Sequence, residues 1–524
     1  MSRLFLGLDS STQSLTAIVI DLDAGRVVFD LSLNYDRHLP DYKTQDGVLR
    51  RDEGAEVHAP PLMWAEALEL IFERMRAGGI PMDEIAAVSG SGQQHGSVYL
   101  TREAANCLAH LDPGKPLAPQ LASILSRPTS PVWMDSSTTR ECREISDALG
   151  GEAAMAEATG SAATERFTGP QIKKYARTDP EGYARTSHIA LVSSFMCSLL
   201  SGRIAPVEPG DGAGMNLMDI RRGTWHAGAV TATAPALAGK LPLIAPPCTR
   251  VGSISPYWVH RFGFSPNTAS IVWSGDNPCS AIGLGLVAPG EMAISMGTSY
   301  TVMGTLDACR TDPRAEGHVF GLPAGGYMAL ICFKNGGLAR ARLRDEYGLD
   351  WAGFARAIST TPPGNQGRLM LPWFDPEIVP KILVPGVRRR NLDPQDAAAN
   401  CRALVEAQMM AMKLHSAWMG IDPGVIHATG GASEDKSVLQ VMADVFRRPV
   451  QPFAVTKSAA LGAAIIAARA WLNHQGRPSD WSILTEALIV RDPSLQIHPD
   501  PAASDTYAAL LKEYEAFERA NGVV

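Results

Sequence analysis

Asp276 stands in Gly275-Asp276-Asn277-Pro278, directly after an apolar run, where a strand ends and a helix opens. A carboxylate at that point can accept a proton from a substrate hydroxyl within hydrogen-bond reach. The same carboxylate, or Asn277, can instead close the helix N-terminus as a cap. Gln93-Gln94-His95-Gly96 follows another apolar run. Its amides and imidazole each donate and accept, which suits a polyhydroxylated molecule; a loop histidine satisfied by backbone uses the same atoms. Arg166, after Thr164-Glu165, offers donors for a hydroxyl or a phosphate, or for a salt bridge with Glu165 or another acid.

Two similar turns lie far apart in the chain: Leu6-Gly7-Leu8-Asp9-Ser10-Ser11-Thr12-Gln13 and Ile294-Ser295-Met296-Gly297-Thr298-Ser299-Tyr300-Thr301. Each follows an apolar run and precedes a β-branched one. A strand–turn–strand with Gly, Ser and Thr at its tip presents backbone N–H groups and hydroxyls at one point, a cradle for phosphate oxygens. Ordinary hairpins with small-residue tips share this pattern. Gly430-Gly431-Ala432-Ser433 lets a flat ring approach backbone closely, or serves as a plain tight βα turn. The chain contains no G-x-x-x-x-G-K-[ST], no strand-linked G-x-G-x-x-G, no H-E-x-x-H and no G-x-S-x-G. Any use of ATP therefore proceeds without a P-loop.

These groups need elements to hold them. Residues 4–8, 16–21 and 27–33 read as three strands joined by short turns. Residues 38–61 are polar and read as an irregular excursion. Residues 62–77 carry apolar side chains at helical spacing. Residues 85–88 form a short buried strand ending at Ser89-Gly90-Ser91-Gly92, and 190–200 a buried helix. Residues 270–273 form a strand, and 279–285 begin a helix. In the second half, 291–303 repeat strand, turn and strand. Helices are expected over 401–418, 438–446 and 459–471, with a strand over 425–428. Strands alternating with helices indicate α/β layers, and the meander heading each half makes the sheets mixed.

A chain of 524 residues exceeds the usual growth of one core, so two domains are expected, with Pro289-Gly290 as the best punctuation. The expected division is 1–286 and 287–524. A net charge of -7 argues against a nucleic-acid partner. The eight cysteines lack any C-x-x-C pair and fit reduced thiols better than disulfides or a zinc site. Met1-Ser2-Arg3-Leu4 runs straight into a strand without a visible leader, and no apolar run spans a bilayer, so a cytoplasmic location and no membrane partner are expected.

Taken in order, these segments resemble the FGGY carbohydrate kinases of the actin-like ATPase superfamily, most of all the animal-type branch that acts on xylulose. The resemblance rests on the first turn and on Ser89-Gly90-Ser91-Gly92-Gln93-Gln94-His95-Gly96-Ser97. It continues through Pro131-Val132-Trp133-Met134-Asp135, Glu165-Arg166-Phe167-Thr168-Gly169, Asp211-Gly212-Ala213-Gly214-Met215-Asn216 and Gly275-Asp276-Asn277-Pro278. Phe333-Lys334-Asn335-Gly336 and Ala428-Thr429-Gly430-Gly431-Ala432-Ser433 extend it into the second half.

It implies an α/β fold of duplicated actin-like ATPase (ribonuclease H-like) domains around a central cleft, the first binding sugar and the second nucleotide. It implies ATP and Mg2+, with Asp276 as general base. His95, Arg166, Asp276, Asn277 and Gln94 would hold a ketose, and Asp9 would sit near the metal. Ser11, Thr12, Gln13, Gly297, Thr298, Trp351, Gly431, Ala432 and Asp435 would meet the nucleotide. The expected reaction is phosphorylation of D-xylulose to D-xylulose 5-phosphate. Another FGGY specificity (ribulose, L-xylulose or a polyol) and a non-catalytic sugar or nucleotide sensor are the alternatives. The oligomeric state, monomer or homodimer, stays open. Two departures stand out. Asp435 replaces the Asn of the animal-type branch, and Lys173-Lys174-Tyr175-Ala176 lacks the wider family's Lys followed two residues later by Trp.

Overall fold

The computed structural model describes residues 3–453 and 457–523. The expectation drawn from Met1-Ser2 lies outside the described residues. They divide into two compact units. The first gathers described residues within Met1–Val287, Val319–Met328 and Thr456–Ile489, and the second those within Ala288–His318, Ala329–Val455 and Val490–Val524. Each is an α/β body with its own sheet.

In the first unit the main sheet runs in the order Arg250–Ser253, Ala269–Ile271, Ile85–Gly92, Leu4–Ser10, Ser14–Asp21, Arg26–Asn34. Leu4–Ser10 pairs antiparallel with Ser14–Asp21 and parallel with Ile85–Gly92, so the sheet is mixed as the meander requires. The strand expected over 85–88 continues through Ser89-Gly90-Ser91-Gly92. Its ladder continues because Ser91 and Gly92 pair with Ser274 and Gly275 on one side and with Asp9 and Ser10 on the other. This pairing sets the Asp9 and Asp276 segments on either side of one strand.

The helix Pro61–Ala77 covers this sheet with Met63, Trp64, Leu68, Ile71, Phe72 and Met75 fully buried. Phe72 meets Trp258, Phe262 and Phe264 edge to face. Burying such a ring stabilises by roughly 1.5–3 kcal/mol, with something further from the ring geometry. The excursion at 38–61 is less irregular than expected. It contains the strands Leu49–Arg51 and Glu56–Ala59, paired with each other and with Ser130–Pro131. The expected helix at 190–200 is a strand, His188–Leu191, followed by a helix, Val192–Ser201. Residues 188–191 are held in strand by pairing with Ser97–Leu100.

The alanine-rich helix Ser458–His474 also belongs to the first unit, although the sequence placed it in the second half. It crosses the helix Asp276–Gly283 at very close range. A Cβ at Gly462 would stand 1.9 Å from the Cys279 carbonyl oxygen, so the crossing tolerates no side chain there. The compact units are thus not two continuous segments; the chain returns to the first sheet to back the Asp276 helix.

In the second unit, Met292–Met296 and Tyr300–Leu306 form the expected hairpin. Ile426–Thr429 pairs parallel with Met292–Met296, and Val450–Pro452 lies beyond it. The helix Ala397–Ser416 starts earlier than expected because Asp396 caps it, accepting from the Ala399 N–H at 3.0 Å. Among the described residues no helix is long and apolar enough to cross a membrane.

Candidate active site

In the first unit the sheet's loop ends assemble a carboxylate site. Asp276 opens the helix Asp276–Gly283, but Gly275 is the N-cap and no side chain caps that helix. Asp276 is thus the first helical residue rather than the N-cap. Three donors converge instead on its Oδ1: the Asn277 N–H at 2.9 Å, Asn277 Nδ2 at 3.2 Å and the Gln94 N–H at 3.4 Å. No donor among the described residues takes Oδ2. Burial pushes the carboxyl up to about 6, against the Asn277 and Gln94 N–H groups, which favour the ionised form.

Gln94 is buried, and both ends of its amide are used. Nε2 donates to the Gly210 carbonyl at 3.2 Å, and Oε1 accepts from Asn277 Nδ2 at 2.8 Å. A Cβ at Gly275 would lie 2.5 Å from Gln94 Cγ, so only glycine lets this amide reach across. The Gln94 side chain ties the Asp276–Asn277 segment to the 208–214 loop.

His95 adopts φ +71°, a left-handed conformation uncommon for a residue with a side chain. Its Nδ1 meets the Gly214 carbonyl at 2.8 Å. A carbonyl only accepts, so Nδ1 carries the proton and Nε2 is the acceptor. The ring stacks on Phe167, centroids 4.0 Å apart, and the Arg166 guanidinium lies 5.7 Å from the same Phe167 ring. His95 and Arg166 are thereby brought to one aromatic ring.

Asp9 lies on the neighbouring strand and accepts from Ser91 Oγ at 2.7 Å. Burial first, and then the charge of Asp276, push its carboxyl up to about 7. Asp9 forms no ion pair among the described residues, so its charge calls for a cation. Among those residues no three His, Cys, Asp or Glu side chains converge as a metal cage. Magnesium is commonly held by one or two carboxylates, with waters and substrate phosphates completing the shell. Asp9 fits that partial role. Beside it, Ser11 Oγ donates to the Ser14 carbonyl at 2.9 Å, and Thr12 Oγ1 accepts from Trp133 Nε1 at 2.8 Å. These bonds shape the turn that ends at the exposed Gln13.

Two buried carboxylates stand nearby: Glu208, not singled out in the sequence, and Asp211, which opens one of the segments that carry the resemblance. Glu208 accepts from the Gly210 N–H at 2.8 Å and from the Ser274 hydroxyl, and Asp211 accepts from the Ser193 hydroxyl. Burial pushes Glu208 up to about 7 and Asp211 well above the usual carboxylate range. Glu208 caps the short helix Pro209–Gly212; the Glu-Pro pair was its only sequence signal.

In the second unit, Gly297, Thr298, Trp351, Gly431, Ala432 and Asp435 all line one cleft of about 870 Å³. The Gly297-Thr298 turn is tied to the start of the helix Gly337–Glu346, because Gly337 N–H donates to the Gly297 carbonyl at 3.2 Å and Leu338 N–H to that of Thr298 at 3.3 Å. Asp435 caps the helix Lys436–Phe446, its Oδ1 accepting from the Ser437 N–H at 2.9 Å. Arg340 also lines this cleft and was not singled out in the sequence.

Residues 129–283 match the N-terminal domain, and residues 292–471 the C-terminal domain, of the FGGY family of carbohydrate kinases. The chain is 41% identical to the xylulose kinase of Rattus norvegicus over 528 aligned residues, covering 99% of this chain and 97% of that protein. It is 41% identical over 495 residues to xylulose kinase 2 of Arabidopsis thaliana, covering 90% and 88%. A ligand-bound xylulose kinase from Lactobacillus acidophilus superimposes with a TM-score of 0.83 at 19% identity, covering 99% of this chain and 98% of the other. That likeness speaks for the fold of duplicated actin-like domains.

Proposed function

Because the chain belongs to the FGGY family of carbohydrate kinases, we propose that it transfers the γ-phosphoryl group of ATP to the terminal hydroxyl of D-xylulose, giving D-xylulose 5-phosphate. The observation that carries the chemistry is the asymmetry of Asp276. Oδ1 holds three N–H donors, while Oδ2 is left to accept a proton.

In this reading the ketose O5 hydroxyl donates to Asp276 Oδ2. As O5 attacks phosphorus in line, its proton passes to that oxygen, and ADP departs with the β–γ bridging oxygen. Phosphoryl transfer asks mainly for positioning and charge stabilisation, and a single base near neutrality suffices. A carboxyl lifted to about 6 is ionised at pH 7 yet more basic than an exposed aspartate. His95 Nε2 accepts from a sugar hydroxyl, and Arg166 donates to another. The fixed His95 tautomer and the Phe167 stack keep the imidazole oriented without a large ordering cost on binding.

The cleft lined by Gly297, Thr298, Trp351, Gly431, Ala432 and Asp435 takes the nucleotide, its turn facing phosphates and its glycines a flat base. Asp9 would hold magnesium, which neutralises phosphate charge when bound with ATP.

The test is an assay of ADP release with purified chain, ATP and magnesium against a panel of pentuloses and polyols. The reading expects D-xylulose to give the highest kcat/KM. A markedly higher value for another sugar would reassign the substrate, and no turnover on any would remove the kinase reading.

A further inference from the structure

We infer that Arg340 is a ligand of the nucleotide's phosphate chain; the inference rests on the nucleotide reading of the second-unit cleft. Arg340 sits in the first turn of the helix Gly337–Glu346, whose start is tied to the Gly297-Thr298 turn. It lines the same cleft as that turn, Trp351, Gly431 and Asp435.

The residue is only 7% exposed, and its Nε is buried with no hydrogen-bond partner. Among the described residues the guanidinium forms no ion pair, although Glu434 and Asp435 line the same cleft. Its neighbours are rings. The guanidinium carbon lies 6.0 Å from the Tyr300 ring centroid and 5.5 Å from that of Trp351. Two aromatic faces hold the side chain in place and leave its charge uncancelled.

A guanidinium stays charged at any working pH, and a buried charge without a counter-ion is costly. In such a cleft the group is completed by an anion. Of the parts of a nucleotide, adenine and ribose are neutral and only the phosphates carry charge. The planar fork of an arginine suits two phosphate oxygens at once. Placement beside the Gly297-Thr298 turn puts this fork where the phosphates are expected. A purely structural arginine in this position would be paired with Asp435 or with carbonyls, and among the described residues it is paired with neither.

Calorimetric titration of the full chain with ADP and with adenosine, in magnesium buffer, tests this on R340Q. The loss of one charge-assisted contact predicts roughly tenfold or weaker ADP binding. Adenosine binding should change less than twofold. ADP binding within twofold of wild type would overturn the inference, and so would equal losses for ADP and adenosine. If R340Q unfolds, R340M fills the slot between the two rings and gives the same comparison. Failure of the wild-type chain to bind ADP at all would overturn the nucleotide reading itself, a result separate from any effect of the substitution.

Discussion

Gln94 and Asn277 lie 183 positions apart, yet Asn277 Nδ2 donates to Gln94 Oε1 at 2.8 Å while both residues' backbone N–H groups point at Asp276 Oδ1. One amide pair thus clamps the Asp276 carboxylate, from a loop and from a helix start. The clamp occupies a single carboxylate oxygen and orients the other.

Asp276→Asn keeps the shape of this clamp and removes the proton acceptor. Turnover should fall by roughly a hundredfold or more, the usual range for a positioned base. Sugar affinity measured by calorimetry should stay within a few-fold of wild type. Near-normal kcat would show that Asp276 does not act as the base.

His95→Ala removes a ring held by Gly214 and Phe167. A sugar hydroxyl left without its partner costs about 1–3 kcal/mol. Ketose binding should weaken accordingly, with ADP binding unchanged in parallel titrations. Equal losses for both ligands would place the sugar pocket elsewhere.

The raised carboxyl of Asp9 makes a signed prediction for stability. Its folded value of about 7 lies above the unfolded 3.8, so folding favours the protonated form. The stability tied to that proton is fully present below about pH 4 and is lost as pH rises toward 7. In Asp9→Asn this loss is absent. The variant's Tm, relative to wild type in metal-free buffer, should therefore climb between about pH 4 and pH 7 and level off above. A difference independent of pH would mean that Asp9 does not titrate in this window.

Asp435→Asn retains a side-chain oxygen for the Ser437 N–H and deletes a negative charge from the cleft proposed to take the nucleotide. ATP should bind a few-fold more tightly, with no change for the sugar. The ATP KM at saturating ketose measures this directly, and a weakened KM would show that the carboxylate itself assists binding.

Local order was legible wherever hydrogen bonds close within a few residues. The hairpins Leu4–Asp21 and Met292–Leu306 follow from alternating apolar runs around small-residue turns, and the long helices follow from their apolar spacing. The strand-end position of Asp276 was legible for the same reason. Whether that aspartate caps or catalyses was not, because the answer depends on Gln94 and on Gly275 clearing space for it. The strand expected over 85–88 runs on through Ser89-Gly90-Ser91-Gly92 because two neighbouring strands pair with it. The helix Ser458–His474 carries no local mark of the sheet it joins; the Gly462 crossing decides that. Glu208 and Arg340 were not singled out, because only the folded chain buries them. The sequence by itself determined which segments are strands and helices and which residue types can do chemistry. Tertiary structure decided which of those residues meet, because a partner 183 positions away is chosen by the path of the chain. It also decided what charge each group bears, because desolvation exists only once the folded chain has buried it.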